Sequence, residues 1–232
     1  MDYEKKQSYD LLVQVSDGIN TAVTPLLITV YDINDNTPMF MKSYYNFTVK
    51  EEDQDLNKTI GQVEATDLDS GKNALIKYKI LDSYAEEAFV IDQNTGAIRA
   101  RRSFDREQES EISFKISATD SGTPQLSSTC EVKIYIKDIN DNPVVFPQSI
   151  YTVEIEEEKE APFDVIKLQA YDNDQNENAI IKYLILAGNE EDIFQIDENT
   201  GLIKTKKKLD YEKKQEYIMH IAARNIRYFF IY

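Results

Sequence analysis

The chain has no tryptophan, one cysteine (Cys130) and one histidine (His220) in 232 residues. One thiol and one imidazole are too few for a mixed His/Cys zinc shell, and the single histidine leaves almost no material for a Ser-His-Asp triad. Cys130 lies on the apolar face of an alternating segment, the place of a small buried hydrophobe rather than of a redox or metal group. Basic residues are also scarce. Lys and Arg number 26 against 42 Asp and Glu, a formal charge of -16, which argues against nucleic acid or an anionic membrane as the main partner. The opening Met1-Asp2-Tyr3-Glu4-Lys5-Lys6 is too charged for a secretory leader, and the apolar ending Tyr228-Phe229-Phe230-Ile231-Tyr232 is too short to span a bilayer.

What the chain does have is a long internal repeat. Asp32-Ile33-Asn34-Asp35-Asn36-Thr37-Pro38 returns as Asp138-Ile139-Asn140-Asp141-Asn142-Pro143. Asp2-Tyr3-Glu4 returns as Asp105-Arg106-Glu107 and again as Asp210-Tyr211-Glu212, and Asp67-Leu68-Asp69 as Asp172-Asn173-Asp174. Tyr45 leads to Glu51 through Phe47 and Val49, as Tyr151 leads to Glu157 through Val153 and Ile155. The stretch from Asp92 to Ile98 matches Asp197 to Ile203. All these steps are close to 105 residues, a domain-sized unit that should own its core. The phase predicts the end of one repeat in residues 1–36, a complete repeat in 37–142 and a truncated one in 143–232.

Within a unit the period is two, which predicts strands. Cys130, Val132, Ile134 and Ile136 alternate with polar neighbours, as do Thr24, Leu26, Ile28 and Val30 one unit earlier. Phe114, Ile116 and Ala118 form another run, with Ile60, Val63 and Ala65 less regular. Asn-Thr-Gly at 94–96 and 199–201 reads as a tight turn with Gly supplying positive φ. About seven strands per unit predict an all-β protein of tandem Greek-key antiparallel β-sandwich repeats. The immunoglobulin version is disfavoured, because it would want a buried Trp and a Cys pair.

The junction segments carry the chemistry. Asp and Asn carbonyl groups crowded beside a strand-breaking Pro form an oxygen-rich set suited to a hard cation, and Ca2+ takes six to eight oxygens. No short segment fills that shell, so further oxygens must come from the other repeating acids. Two rivals fail. As an EF-hand loop, Asp67-x-Asp69 has Lys72 where Gly is needed and Tyr78 where a bidentate Glu is needed; Asp172-x-Asp174 has Glu177 and Tyr183 there. A carboxylate-pair hydrolase would need two acids in one cleft, whereas these acids recur once per unit at the predicted unit ends.

Alternating strands that end in Asp-x-Asn-Asp-Asn, together with the Asp-x-Glu, Asp-x-Asp and Tyr-to-Glu elements, resemble cadherin extracellular repeats of the long protocadherin, Fat or Dachsous type. The likeness covers nearly the whole chain. It implies Ca2+ bound between successive repeats and a role in calcium-dependent cell adhesion. By that resemblance the junction after the middle repeat would take Glu51, Asp105 and Glu107 from its base. The connector would add Asp138, Asn140 and Asp141 through side chains and Ile139 and Asn142 through carbonyls. Asp172, Asp174, the backbone of Asn178 and Asn225 would complete it. Asn225 stands where Asp is expected, leaving an oxygen but removing a charge. The earlier junction would use Asp2, Glu4, Asp32, Ile33, Asn34, Asp35, Asn36, Asp67, Asp69, the backbone of Asn73 and Asp120. Its bridging Glu would precede Met1, so this site should be weakened. Asp17, Glu157, Asp210 and Glu212 would serve junctions outside this sequence.

Seven carboxylates would converge on the later junction. Each like-charge pair about 5 Å apart at an effective dielectric near 20 costs about 3 kcal/mol before screening, which about three Ca2+ would offset. The expectation is a calcium-controlled stiffness switch rather than an enzyme, with other cadherins as partners in trans or cis and no small-molecule substrate. The alternative is a passive spacer, recognition being carried by other repeats. Met1 stands where the repeat keeps Leu209, so the chain is expected to be a fragment of a larger membrane-anchored protein on the extracellular face of the plasma membrane. The first repeat retains too few strands to bury a face, the third should have an open edge, and only 37–142 should fold robustly alone. Asn46-Phe47-Thr48 and Asn57-Lys58-Thr59 are glycosylation acceptors in a secreted chain.

Overall fold

The structure, a computed structural model, describes residues 1–225; the apolar ending at 228–232 lies outside them. The chain divides into two compact units, Met1–Lys137 and a second beginning at Asp138. Strands dominate both.

The first unit opens with a hairpin of β1 (Ser8–Ser16) and β2 (Thr21–Thr29), paired without a break from Ser8↔Thr29 to Ser16↔Thr21. Its turn is closed by Asp17, whose Oδ1 accepts the N–H groups of Ile19 (2.8 Å) and Asn20 (2.7 Å). Two strands cannot bury a face, and Leu12 (73%), Val15 (66%) and Leu27 (63%) stay open to solvent. The core of this unit is drawn from Tyr45 to Ile136 alone.

That core lies between sheets built from β3 (Met39–Phe40), β4 (Tyr44–Lys50), β5 (Thr59–Gln62), β6 (Ala65–Thr66), β7 (Lys77–Ile80), β8 (Phe89–Ile91), β9 (Ala97–Ala100), β10 (Glu111–Thr119) and β11 (Ser127–Lys137). The main sheet runs β4-β11-β10-β7 and faces β5-β9-β8, with β3-β6 as a short third pair. The alternation read in the sequence is the alternation of burial. Ile112, Phe114 and Ile116 pair with Ile134, Val132 and Cys130, all turned inward. Phe89 is fully buried between the rings of Phe104 (5.2 Å) and Phe114 (5.4 Å). Burying each such side chain contributes about 1.5–3 kcal/mol. Cys130 is buried too, and burial pushes its thiol up to about 11, the behaviour of an inert core group.

One pairing departs from a purely antiparallel sandwich. β4 runs parallel to β11, in register from Tyr44↔Glu131 to Lys50↔Lys137. A short helix, α1 (Ser83–Ala88), was not signalled by periodicity; Asp82 caps it by accepting from the Ala85 N–H at 3.0 Å, and Ala85 and Ala88 face the core. The Asn-Thr-Gly turn joins β8 to β9. Asp92 Oδ1 accepts the N–H groups of Asn94 and Thr95, both at 2.9 Å. Gly96 has φ 73°, and a Cβ there would lie 2.2 Å from the Val63 carbonyl oxygen, so only Gly fits.

The second unit repeats the plan with β12 (Asp164–Lys167), β13 (Ile181–Ala187), β14 (Phe194–Ile196), β15 (Leu202–Thr205) and β16 (His220–Asn225). They form β12-β15-β14 and β13-β16. Asp197 and Gly201 rebuild the same turn. The expected strand from Tyr151 to Glu157 does not form, because no strand pairs with it among the described residues; Tyr151 and Ile155 still pack on the core. Among the described residues that core cluster holds five buried residues (Leu168, Ile193, Phe194, Ile203 and Leu209), and the cluster of the first unit holds nineteen.

Candidate metal centres

The connector 32–36 is held by reciprocal hydrogen bonds with the Asp67-Leu68-Asp69 segment that follows β6. Asp32 Oδ2 accepts from the Ser70 N–H (3.0 Å), the Ser70 hydroxyl (3.1 Å) and the Asn73 amide (3.0 Å). Asn36 donates its N–H to Asp69 Oδ2 (3.2 Å) and its amide to Asp69 and Asp35. Asp67 Oδ1 accepts the Asp69 N–H at 3.0 Å, and Asn34 donates to Asp120 Oδ2 at 3.0 Å. Gly122 makes this last approach possible, since a Cβ there would lie 2.3 Å from the Asn34 side chain. Carboxylate oxygens of Glu4, Asp35 and Asp69 all lie within 4.8 Å of one another. The Ile33 carbonyl accepts the Asp35 N–H at 3.0 Å. Asp2 lies outside the group of Glu4, Asp35 and Asp69 and pairs its carboxylate with Lys5 at 2.6 Å within its own turn.

The protonation equilibria show which carboxylates are crowded. Burial raises Asp67; the Asp69 N–H opposes this, and the neighbouring Asp69 and Asp120 carboxylates add to the rise. Glu4 is pulled down by its own N–H, but partial desolvation and the Asp35 and Asp32 carboxylates outweigh this and leave it raised. Asp32 is pushed up by burial, yet the Ser70 and Asn73 donors bring it below its usual range.

Residues of the later junction fall into the two units and form a cluster in each. In the first, oxygens of Glu51, Asp105 and Glu107 lie within 4.8 Å of one another. Glu51 is buried at the end of β4, where its N–H donates to the Lys137 carbonyl (3.1 Å) and its Oε2 accepts the Arg106 N–H (2.8 Å). In the second unit the connector scaffold recurs almost bond for bond. Asp138 Oδ2 accepts from the Gln175 N–H (3.1 Å) and the Asn178 amide (2.8 Å). Asn142 donates to Asp174 (3.2 and 2.8 Å) and Asp141 (2.8 Å), and Asp172 accepts the Asp174 N–H at 2.9 Å. The Ile139 carbonyl accepts from Asp141, and Asn140 donates to the Asn178 carbonyl at 3.4 Å. Asn225 does what an Asp could not: its amide donates to Asp172 Oδ2 at 2.8 Å and to the Asn178 carbonyl.

The donor set fits a calcium ion. Buried side-chain atoms without a hydrogen-bond partner among the described residues are Asp32 Oδ1, Asn34 Oδ1, Asp67 Oδ2 and Asp174 Oδ2, plus Ser128 Oγ elsewhere. Orphaned buried acceptors of this kind are costly, and four of the five lie in these clusters. No lysine or arginine ion-pairs with Asp32, Asp35, Asp67, Asp69 or Asp120 among the described residues. Around the first connector, oxygen-only groups with negative charge that no Lys or Arg offsets suit a hard cation, whereas in the Glu51-Asp105-Glu107 cluster the Arg106 guanidinium pairs with Glu107. Glu157, Asp210 and Glu212 form a further cluster within 4.8 Å, with Glu157 Oε2 accepting the Tyr211 N–H at 2.9 Å. The repeat spacing had pointed to them as equivalents of Glu51, Asp105 and Glu107.

Comparison with known proteins bears on family and fold. The cadherin domain family matches residues 45–137 and 151–227. Protocadherin Fat 4 of Mus musculus is 35% identical over 229 residues, covering 96% of this chain and 4% of that protein. The Fat-like cadherin-related tumor suppressor homolog of Drosophila melanogaster is 38% identical over 226 residues, covering 96% and 5%. A solved structure described as the protocadherin gammaB7 EC3-6 cis-dimer superposes with TM-score 0.81 at 27% identity, covering 96% of this chain and 59% of that one. The chain thus spans only a small part of these curated relatives. Repeat spacing, sandwich fold and matching sequence together place it: the chain belongs to the cadherin family and consists of cadherin repeats.

Proposed function

We propose that this chain is a segment of a calcium-dependent cell-adhesion protein, with calcium held at the repeat junctions, on the extracellular face of the plasma membrane as part of a larger membrane-anchored protein. We assign the repeats to 1–36, 37–142 and 143–232. The observation that carries this reading is the set of buried, unpartnered oxygens on Asp32, Asn34, Asp67 and Asp174, residues of the two connectors and of the Asp-x-Asp segments hydrogen-bonded to them.

Bound calcium supplies positive charge and a common point of attachment for oxygens from successive repeats. The residues do the rest. Asp32 and Asp138 each keep one oxygen tied to backbone and amide donors, so the other oxygen is preset. Asn36 and Asn142 hold Asp69 and Asp174 against their connectors. Glu51, anchored between the Arg106 N–H and the exit of β11, offers a rigid carboxylate at the base of the next junction. Without a cation the crowded carboxylates repel one another, and the connector is free to swing. Partners in this reading are other cadherins, and no residue has a catalytic task.

Calorimetric titration of the chelator-stripped chain tests this. Saturable calcium binding that is reduced in Asp141→Ala is expected; no binding up to several millimolar would overturn it. Beads coated with the chain separate adhesion from a passive spacer. Aggregation that chelator reverses supports adhesion, and beads that stay dispersed in calcium support the spacer.

A further inference from the structure

The two Asn-x-Thr triplets are not used by the junctions. We propose that Asn46 and Asn57 are attachment sites for N-linked glycans, and that the Asn46 glycan lies along the outer face of the β4-β11-β10-β7 sheet with its first sugar against Tyr44. This rests on the extracellular reading above. The triplet marks an acceptor only where the folded chain leaves room for the sugar.

Asn46 meets that condition through strand alternation. Residues two apart share a face, so Asn46 and Thr48 project outward together while Phe47 turns away to cover Gly61, where a Cβ would lie 2.1 Å from its ring. Asn46 and Thr48 are both exposed, and β4 is an edge strand. No hydrogen bond engages the Asn46 side chain among the described residues. The same face carries Tyr44, 62% exposed, one step back on β4. An open groove of ≈ 570 Å³ runs beside it, lined by Tyr44, Asn46, Ser113, Lys115, Glu131 and Lys133. An aromatic ring among hydrogen-bonding side chains is a complementary floor for a sugar, whose C–H face packs on the ring while its hydroxyls reach the polar groups. Asn57 meets the condition differently. It sits in an exposed turn, its N–H donating to Asp55 Oδ1 at 3.2 Å, with Lys58 and Thr59 exposed beside it.

The test is to secrete the full chain from mammalian cells behind a cleavable leader, with a reporter triplet on a flexible C-terminal tag, and to map occupied sites by peptide mass spectrometry. Asn46 and Asn57 are expected to be occupied, with Asn46→Gln and Asn57→Gln each removing one glycan. A modified reporter beside a bare Asn46 or a bare Asn57 overturns the assignment at that residue. Tyr44→Ala is expected to leave occupancy intact but to speed glycosidase release of the Asn46 glycan from the folded protein several-fold; an unchanged rate overturns the Tyr44 contact. Calcium titration of the same secreted protein keeps the two readings apart. Bare sites with normal calcium binding count against the glycans alone, and glycans without calcium binding count against the proposed function alone.

Discussion

Asp120→Asn separates the two jobs a buried carboxylate can have at the first cluster. Asp120 is fully buried, and its oxygens accept from Gly122 N–H, Leu126 N–H and the Asn34 amide, each at 3.0 Å. An amide in its place keeps one oxygen, enough for Leu126 and Asn34, and turns an NH2 toward the Gly122 N–H. The lost bond costs about 1–3 kcal/mol. Against it stands the removal of one charge from a crowded set, about 3 kcal/mol for like charges 5 Å apart at an effective dielectric near 20. In chelator the two nearly cancel, leaving the variant within about 2 kcal/mol of wild type. In calcium at a hundredfold excess over Kd the wild type gains about 2.7 kcal/mol. Loss of a charged ligand weakens affinity by at least the 10–100-fold typical of outer partners, so about 1.3–2.3 kcal/mol of that gain disappears. Urea unfolding of wild type and variant, each in chelator and in calcium, measures the difference. If the variant loses the same stability in both buffers, the cluster is a hydrogen-bonded knot and the calcium reading of Asp120 is wrong. Asp120→Ala is the control, since it orphans all three donors and should destabilise in chelator as well.

Asn225→Asp should tighten calcium binding by about tenfold or more in a calorimetric titration, because it replaces an amide that now occupies Asp172 and the Asn178 carbonyl with a charged ligand. The same change should destabilise the second unit in chelator. Phe89→Ala should cost the first unit about 3–5 kcal/mol in urea melts and leave the second unit's transition in place. Gly96→Ala should cost more than about 2 kcal/mol, since the left-handed backbone and the Val63 carbonyl both oppose a side chain. In acid, the N–H groups of Thr95 and Asn94 hold Asp92 below its usual 3.8. A depressed folded-state pKa means stability that is present above pH 3.8 and lost as pH falls through the lower folded value. Asp92→Asn should therefore flatten the acid limb of the unfolding midpoint against pH.

Much of the fold was legible because its signals are local. The inward face of β10 and β11 follows from alternation, and the β8–β9 turn from an Asp whose carboxylate collects two N–H groups ahead of a Gly. The connector carboxylates were legible for the same reason, since they lie in short segments. What escaped depends on partners distant in the chain. The parallel pairing of β4 with β11 joins residues far apart in sequence, and nothing in either strand states its direction. Residues 151–156 carry the pattern of β4 but pair with no strand among the described residues, so pattern alone did not make them a strand. The six residues of α1 are too few for a helical period to show. At the candidate metal centres, residue type announced oxygens, but the sequence could not say that Asn34, Asn140 and Asn225 would present amide donors. Nor could it say that Asp2 would pair with Lys5.

The parallel pairing has a mechanical consequence. The chain enters β4 at Tyr44 and leaves β11 at Lys137, at opposite ends of the paired strands, and the seven registered pairs between them lie along the line joining those points. Tension applied through the backbone therefore loads this ladder in shear. Its bonds share the force and must fail together instead of peeling apart one at a time. The ladder ends at Glu51, whose N–H is bonded to the Lys137 carbonyl. The rupture-resistant element of this sheet and the Glu51 corner of the carboxylate cluster are thus one continuous piece of backbone.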